Sequence, residues 1–178
     1  YYFFQANDYR MNPVHPPLSY KLGALPLLFL KPEYPFNSEA CQKFLYYVCG
    51  MQFLFKGANN GDLFIFLGRL VYILIGIIVG AFVFYWAKLM YGEKAGLFAL
   101  TLYVFNPVIL GWMGIALNDA AVTAFIFINM FFLMKLLKRP SRQLIILTGI
   151  TLGLAQASKI TALFLLPVYA AVFLVFYR

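Results

Sequence analysis

Residues 64–87 include one charged side chain, Arg69, in an otherwise apolar run. As a helix rising ~1.5 Å per residue, this stretch is long enough to cross the ~30 Å hydrocarbon core of a bilayer. Four further apolar runs follow at 95–117, 120–134 (extendable to 137 past Lys135), 144–158 and 160–177. A soluble domain is about half apolar and about a quarter charged. This chain is 63% hydrophobic and 11% charged, so the runs read as membrane helices. The expected fold class is an all-α integral membrane protein: a multi-span helical bundle of about five spans over 63–178. Residues 1–62 are expected to form an external first loop with short juxtamembrane helices. Within that loop, 22–30 is apolar but too short to span, and 41–55 is rich in Tyr and Phe, which suit the membrane interface. The chain begins without Met and stops just after an apolar run, so it reads as one domain cut from a longer protein.

The net charge of +8 fits a membrane better than a nucleic acid, because the cations flank apolar runs. Lys88 and Lys94 lie between runs one and two. Lys135, Lys138, Arg139 and Arg142 lie between runs three and four, and Arg178 follows run five. Parity puts all of them on one side, which the positive-inside tendency makes cytoplasmic. The N-terminal segment, the Asn118-Asp119 turn and Lys159 then share the opposite face.

Lys159 interrupts an apolar stretch that, as one helix over 144–177, would be ~51 Å long. The chain must therefore break or reverse, and Lys159 is the natural place. A lysine there serves as a cation for an anionic headgroup or phosphate, or simply snorkels from a helix end. Asp119 reads as a helix N-cap or as a carboxylate at the mouth of a site. Arg69 reads as a snorkelling side chain or as a fork for a phosphate or carboxylate. His15, the one histidine, sits in Asn12-Pro13-Val14-His15-Pro16-Pro17-Leu18, where prolines hold the backbone stiff and non-helical. That suits a preorganised site as well as a surface turn. Spacing leaves Cys41 and Cys49 open to either a disulfide or two free thiols.

Taken in order, these stretches resemble glycosyltransferase family 39. That group holds the protein O-mannosyltransferases and related bacterial and archaeal enzymes of the GT-C superfamily. Asn7-Asp-Tyr-Arg-Met-Asn-Pro-Val-His-Pro-Pro-Leu18 with Gly23-Ala-Leu-Pro-Leu-Leu28 resembles the family's first external loop and its His-Pro-Pro-Leu signature. Gly68-Arg69-Leu70, Tyr91-Gly-Glu-Lys-Ala-Gly96 before a span with Asn106-Pro107, Asn118-Asp119, and Gly153-Leu-Ala-Gln-Ala-Ser-Lys159 match the family pattern in turn.

The resemblance implies a sugar donor carried on a polyprenyl phosphate and a hydroxyl acceptor on protein, lipid or glycan. It implies inversion at the anomeric carbon, with an active site on the external face of a plasma membrane, expected to be prokaryotic. It further implies that Lys159 and Arg69 support the phosphate region, with Asp119 at the site and His15 lining the pocket. The general-base Asp is expected upstream of Tyr1. Asp8 is too close to the motif and lacks a following Glu, so it is not assigned that role. Many bacterial relatives have an acidic, metal-binding residue where Val14 stands. Val14 cannot ligate, so no metal and no other cofactor is expected. Tyr20 stands where many relatives have a lysine, which changes that contact with the donor phosphate. Two other readings remain: a transporter, disfavoured by spans almost free of polar residues apart from Asn129, Gln156 and a few Ser and Thr, and a non-catalytic membrane subunit.

Overall fold

The computed structural model describes residues 1–176, and among them every regular element is helical. Five short helices come first: α1 (Tyr2–Gln5), α2 (Leu18–Ala24), α3 (Leu27–Leu30), α4 (Glu39–Gln42) and α5 (Tyr46–Phe55). The longer ones follow: α6 (Gly61–Tyr91), α7 (Glu93–Val104), α8 (Pro107–Met113), α9 (Asn118–Lys138) and α10 (Arg142–Ser158). A 3-10 turn (Ile160–Phe164) leads into α11 (Leu165–Phe176). Arg178, counted above among the cations of one face, lies outside the described residues, as does Tyr177 at the end of the fifth run.

The start of α6 is written in its sequence. The Asn60 side chain accepts from the Leu63 backbone N–H at 3.0 Å, and Asp62 sits in the first turn, where the helix dipole favours an acid. Lys88 complements the other end, and Gly92 closes the helix with φ of 90°, a conformation that costs glycine little. With 31 residues, α6 is long and apolar enough to cross a membrane, as is α9 with 21. The protein is therefore an integral membrane protein with an all-α fold.

The five apolar runs do not give five equal helices. The second is broken: α7 and α8 meet at 63°. Pro107 has no N–H to continue α7, and the Asn106 side chain caps the new helix by accepting from the Val108 and Ile109 N–H groups at 2.9 and 3.2 Å. The fourth, α10, has 17 residues, and 160–176 is also short. By length and composition two helices reach across a bilayer, or three if the bent pair counts as one. At Lys159 the backbone is extended, so α10 ends where the length argument requires.

A stripe of buried small residues organises one edge of α6. A Cβ on Gly68 would lie 3.3 Å from the Gly23 carbonyl oxygen of α2, one on Gly76 would meet Met113 of α8 at 3.3 Å, and one on Gly80 would meet Tyr103 of α7 at 3.1 Å. The Tyr103 hydroxyl donates to the Gly76 carbonyl at 2.8 Å across the same contact. On another side, Phe82 and Trp86 of α6 pack against Phe131 and Phe127 of α9, with ring centroids 5.2 Å apart in each pair.

The α9–α10 hairpin and α11 are tied by one polar group. Asn129, fully buried, donates to the Thr148 carbonyl at 2.8 Å and to the Thr151 hydroxyl at 3.0 Å, and accepts from the Tyr169 hydroxyl at 2.9 Å. In lipid an unsatisfied amide is costly, so each of these bonds fixes helix register.

The N-terminal layer is held by aromatic packing and a covalent link. Phe3, Met11, Ala40, Cys41 and Cys49 are buried together, with Tyr2, Tyr20, Tyr34 and Phe44 against them. Cys41 and Cys49, whose pairing spacing left open, form a disulfide. Outward from this core, Phe29, Tyr46, Tyr47 and Phe55 stand exposed, as aromatic side chains do in the interfacial zone of a bilayer.

Replacing Asn129 by Leu should lower the stability of the detergent-solubilised protein by ~1 kcal/mol, and Tyr169→Phe by less. Thermal unfolding of the two variants checks this. A stabilised Asn129→Leu protein would show that the network does not hold the three helices.

Candidate functional site

Three helix ends and the proline-rich segment meet at one end of the bundle. The segment feeds directly into α2, and its last turn before the helix places Ser19 in the interior. Ser19 is fully buried: its hydroxyl donates to the Ser158 carbonyl at 3.2 Å, and its own carbonyl accepts from the Tyr72 hydroxyl at 2.7 Å. Ser19 thus joins α2, α6 and the end of α10.

One residue on, Tyr20 reaches α9. Its hydroxyl accepts from the Asn12 amide at 2.9 Å and from the Asn118 amide at 2.7 Å. Two donors occupy its acceptor sites, which leaves the phenolic O–H free to donate. Next to Asn118, the Asp119 carboxylate accepts from the Lys159 ammonium at 2.5 Å. Neither Asn118 nor Asp119 caps α9, whose N-cap is Leu117 without a side-chain bond, so capping does not account for either side chain. The Lys159 side chain is 20% exposed and that of Asp119 51%. The ammonium has three N–H groups, and Asp119 takes one.

The carboxylate also borders a cleft of about 460 Å³ between α8 and α9, whose other walls include Val108, Trp112, Met113 and Thr123. Through Ile109 and Met113 this cleft shares its wall with a larger apolar groove of about 650 Å³ between α6 and the α7–α8 pair. A carboxylate–ammonium pair beside an apolar cleft is an arrangement that suits a ligand with a charged head and a hydrocarbon tail.

His15 and Arg69 stand apart from these bonds. The His15 ring is half-buried, and its Nδ1 is enclosed with no hydrogen-bond partner among the described residues. Arg69 follows Gly68, the point of closest approach to α2, but faces outward and is exposed, with no ion pair among the described residues. Val14 is 65% exposed. Asp8 is engaged by the Arg10 guanidinium at 2.7 Å and by the Tyr2 hydroxyl at 3.1 Å. The Arg10 contact holds its carboxyl well below the usual carboxylate range, which makes it a weak proton acceptor.

The contacts of Ser19, Asn12 and Asn118 were not anticipated from the sequence. Their one signal is position: Ser19 directly follows the His-Pro-Pro-Leu stretch, and Ser158 directly precedes Lys159.

Fold and contacts together define an α-helical membrane protein with an ionic, hydrogen-bonded cluster at one end of its bundle. The chain belongs to the dolichyl-phosphate-mannose-protein mannosyltransferase family, whose sequence profile matches residues 61–178. This makes it a membrane glycosyltransferase of the mannosyltransferase kind. No curated protein and no solved structure matches the chain.

The juxtaposition of α9 and the α10 end is checked by cross-linking. A protein with Asp119→Cys and Lys159→Cys should be bridged within one chain by a short bifunctional thiol reagent, because Cys41 and Cys49 are already paired. Failure to bridge these positions, with either single cysteine still labelled, would refute the contact.

Proposed function

We propose that the chain forms the donor-handling half of an inverting glycosyltransferase that takes its sugar from a polyprenyl phosphate. The observation that carries this reading is the Asp119–Lys159 ion pair, placed beside the Tyr20–Asn118 contact and at the mouth of an apolar cleft. In such a reaction the acceptor hydroxyl oxygen attacks the anomeric carbon as the bond to the phosphate oxygen breaks. The phosphate leaves with the electron pair, and a general base takes the hydroxyl proton. The family resemblance puts that base, an Asp, ahead of Tyr1.

The departing phosphate gains charge, and cations and hydrogen-bond donors aimed at it lower the barrier. Lys159 supplies two N–H groups beyond the one held by Asp119, and Tyr20 supplies its O–H. Asp119 acts by orienting the ammonium. His15, with an unpartnered nitrogen, lines the sugar side, and Arg69 adds a second cation once a lipid head draws its long side chain inward. The apolar cleft suits the isoprenoid chain, and the acceptor is a hydroxyl-bearing protein, lipid or glycan. No metal is assigned to the reaction, in keeping with Val14.

In this reading residues 1–62 are a loop layered on the bundle of 63–178, within one domain. The site faces away from the cytoplasm, which in a prokaryote is the outer face of the plasma membrane. Two independent features support that orientation. Lys135, Lys138, Arg139 and Arg142 gather at the other end of the α9–α10 hairpin, and a disulfide persists in oxidising compartments, which fits the Cys41–Cys49 layer that packs against Tyr20.

The test is sugar transfer by the full-length protein in membranes, given a panel of polyprenyl-phosphate sugars that includes mannose. Lys159→Ala should lower transfer about 100-fold, the scale for losing one donor to a developing anion. Asp119→Ala should lower it by less, and Lys159→Arg should restore part of the loss. Wild-type rates in both alanine variants, at equal insertion, would reject the assignment.

A further inference from the structure

The opposite end of the α9–α10 hairpin holds a second charged feature that sugar transfer does not use. Here the chain turns in three residues, 139–141, and a cavity of about 450 Å³ opens between this turn and the end of α6. Lys135, Lys138 and Arg139 rim it, while Leu89, Met90, Met134 and Leu144 form an apolar wall. Lys138 lies 19 residues along α9 from Asp119, or ~28 Å, so the two sites sit at opposite ends of a membrane-length rod.

Among the described residues these cations have no counter-charge. Among the described residues none of the three makes a salt bridge, and no carboxylate lines the cavity. The Lys135 ammonium rests instead over the rings of Phe131 and Tyr85, at 5.4 and 5.9 Å from their centroids. Glu93, on the neighbouring helix, is taken by Lys88 at 3.3 Å. Three like charges within about one helical turn repel one another unless an anion sits among them.

The wall decides which anion. Leu89 and Met90 are half exposed and continue the cavity onto the outer surface of α6, a spanning helix. A small free phosphate gains nothing from these side chains, whereas a lipid lays its acyl chains on them. Basic pockets between membrane helices bind anionic headgroups in this way.

We propose that this cavity binds an anionic phospholipid, its phosphodiester among Lys135, Lys138 and Arg139 and its acyl chains against Leu89, Met90, Met134 and Leu144. The proposal does not depend on the sugar-transfer reading.

Native mass spectrometry of the full-length protein in neutral detergent, with equimolar phosphatidylglycerol and phosphatidylcholine, tests it. The wild type should retain phosphatidylglycerol preferentially. Lys138→Gln with Arg139→Gln should reduce that preference roughly fivefold per cation removed. The charge-conserving pair Lys138→Arg with Arg139→Lys should keep it, which separates lost charge from a disturbed fold. A millimolar excess of glycerol 3-phosphate should leave the bound lipid in place. Equal retention of the two lipids by the wild type, an undiminished preference in the double glutamine variant, loss of preference in the charge-conserving pair, or displacement by glycerol 3-phosphate would each overturn the assignment.

Discussion

The buried hydroxyl and carbonyl of Ser19 hold the candidate site together. Through them a proline-stiffened loop, a long membrane helix and the end of a hairpin share one residue with no solvent contact. Each bond alone is modest, about 1 kcal/mol net. Their effect is positional, because a buried polar group that loses its partner costs more than the bond contributes. Moving α2 away from α10 or α6 would strand the hydroxyl or the carbonyl. The neighbouring Tyr20–Asn118 contact and the Asp119–Lys159 pair are therefore built on a fixed base rather than on mobile loops.

The ion pair would be weak evidence of stability by itself, since half-exposed pairs contribute little. Its interest is chemical. A lysine whose stem is covered and whose ammonium is pinned by one carboxylate presents its remaining donors in a limited set of directions. Preorganisation of this kind lets a cation stabilise charge that appears during a reaction without first rearranging. The phenol of Tyr20, with both acceptor sites filled, is restricted in the same way.

Much of this was legible in the sequence where a length or a count decided the matter. An apolar stretch too long for the bilayer had to break, and it breaks at Lys159. Parity brought Asn118, Asp119 and Lys159 to one end, and the helices close there. Family motifs marked the loop that feeds α2. Other features had no such signal. Asn106-Pro107 gave a bend of 63° where an unbroken span was expected, because a proline kink and a full break look alike until the cap bonds are known. Ser19–Ser158 and Tyr20–Asn118 join residues 139 and 98 positions apart, a separation that no local pattern encodes. The outward set of Arg69 depends on which face of α6 meets α2, and a helix apolar all round does not declare its inner face. The Cys41–Cys49 link was undecided for a similar reason, since an eight-residue separation suits a bridge only once two short helices fold back on each other.

The small residues along α6 act as a ruler. Gly68 meets the α2 backbone, while Gly76 and Gly80 leave room for the Met113 side chain of α8 and the Tyr103 ring of α7. Sliding the helix by one residue would swing these marks ~100° around its axis and drive side chains into all three neighbours at once. The depth of the candidate site relative to the rest of the bundle is therefore graduated by glycine spacing, on a helix whose one charged side chain between residues 64 and 87, Arg69, looks the other way.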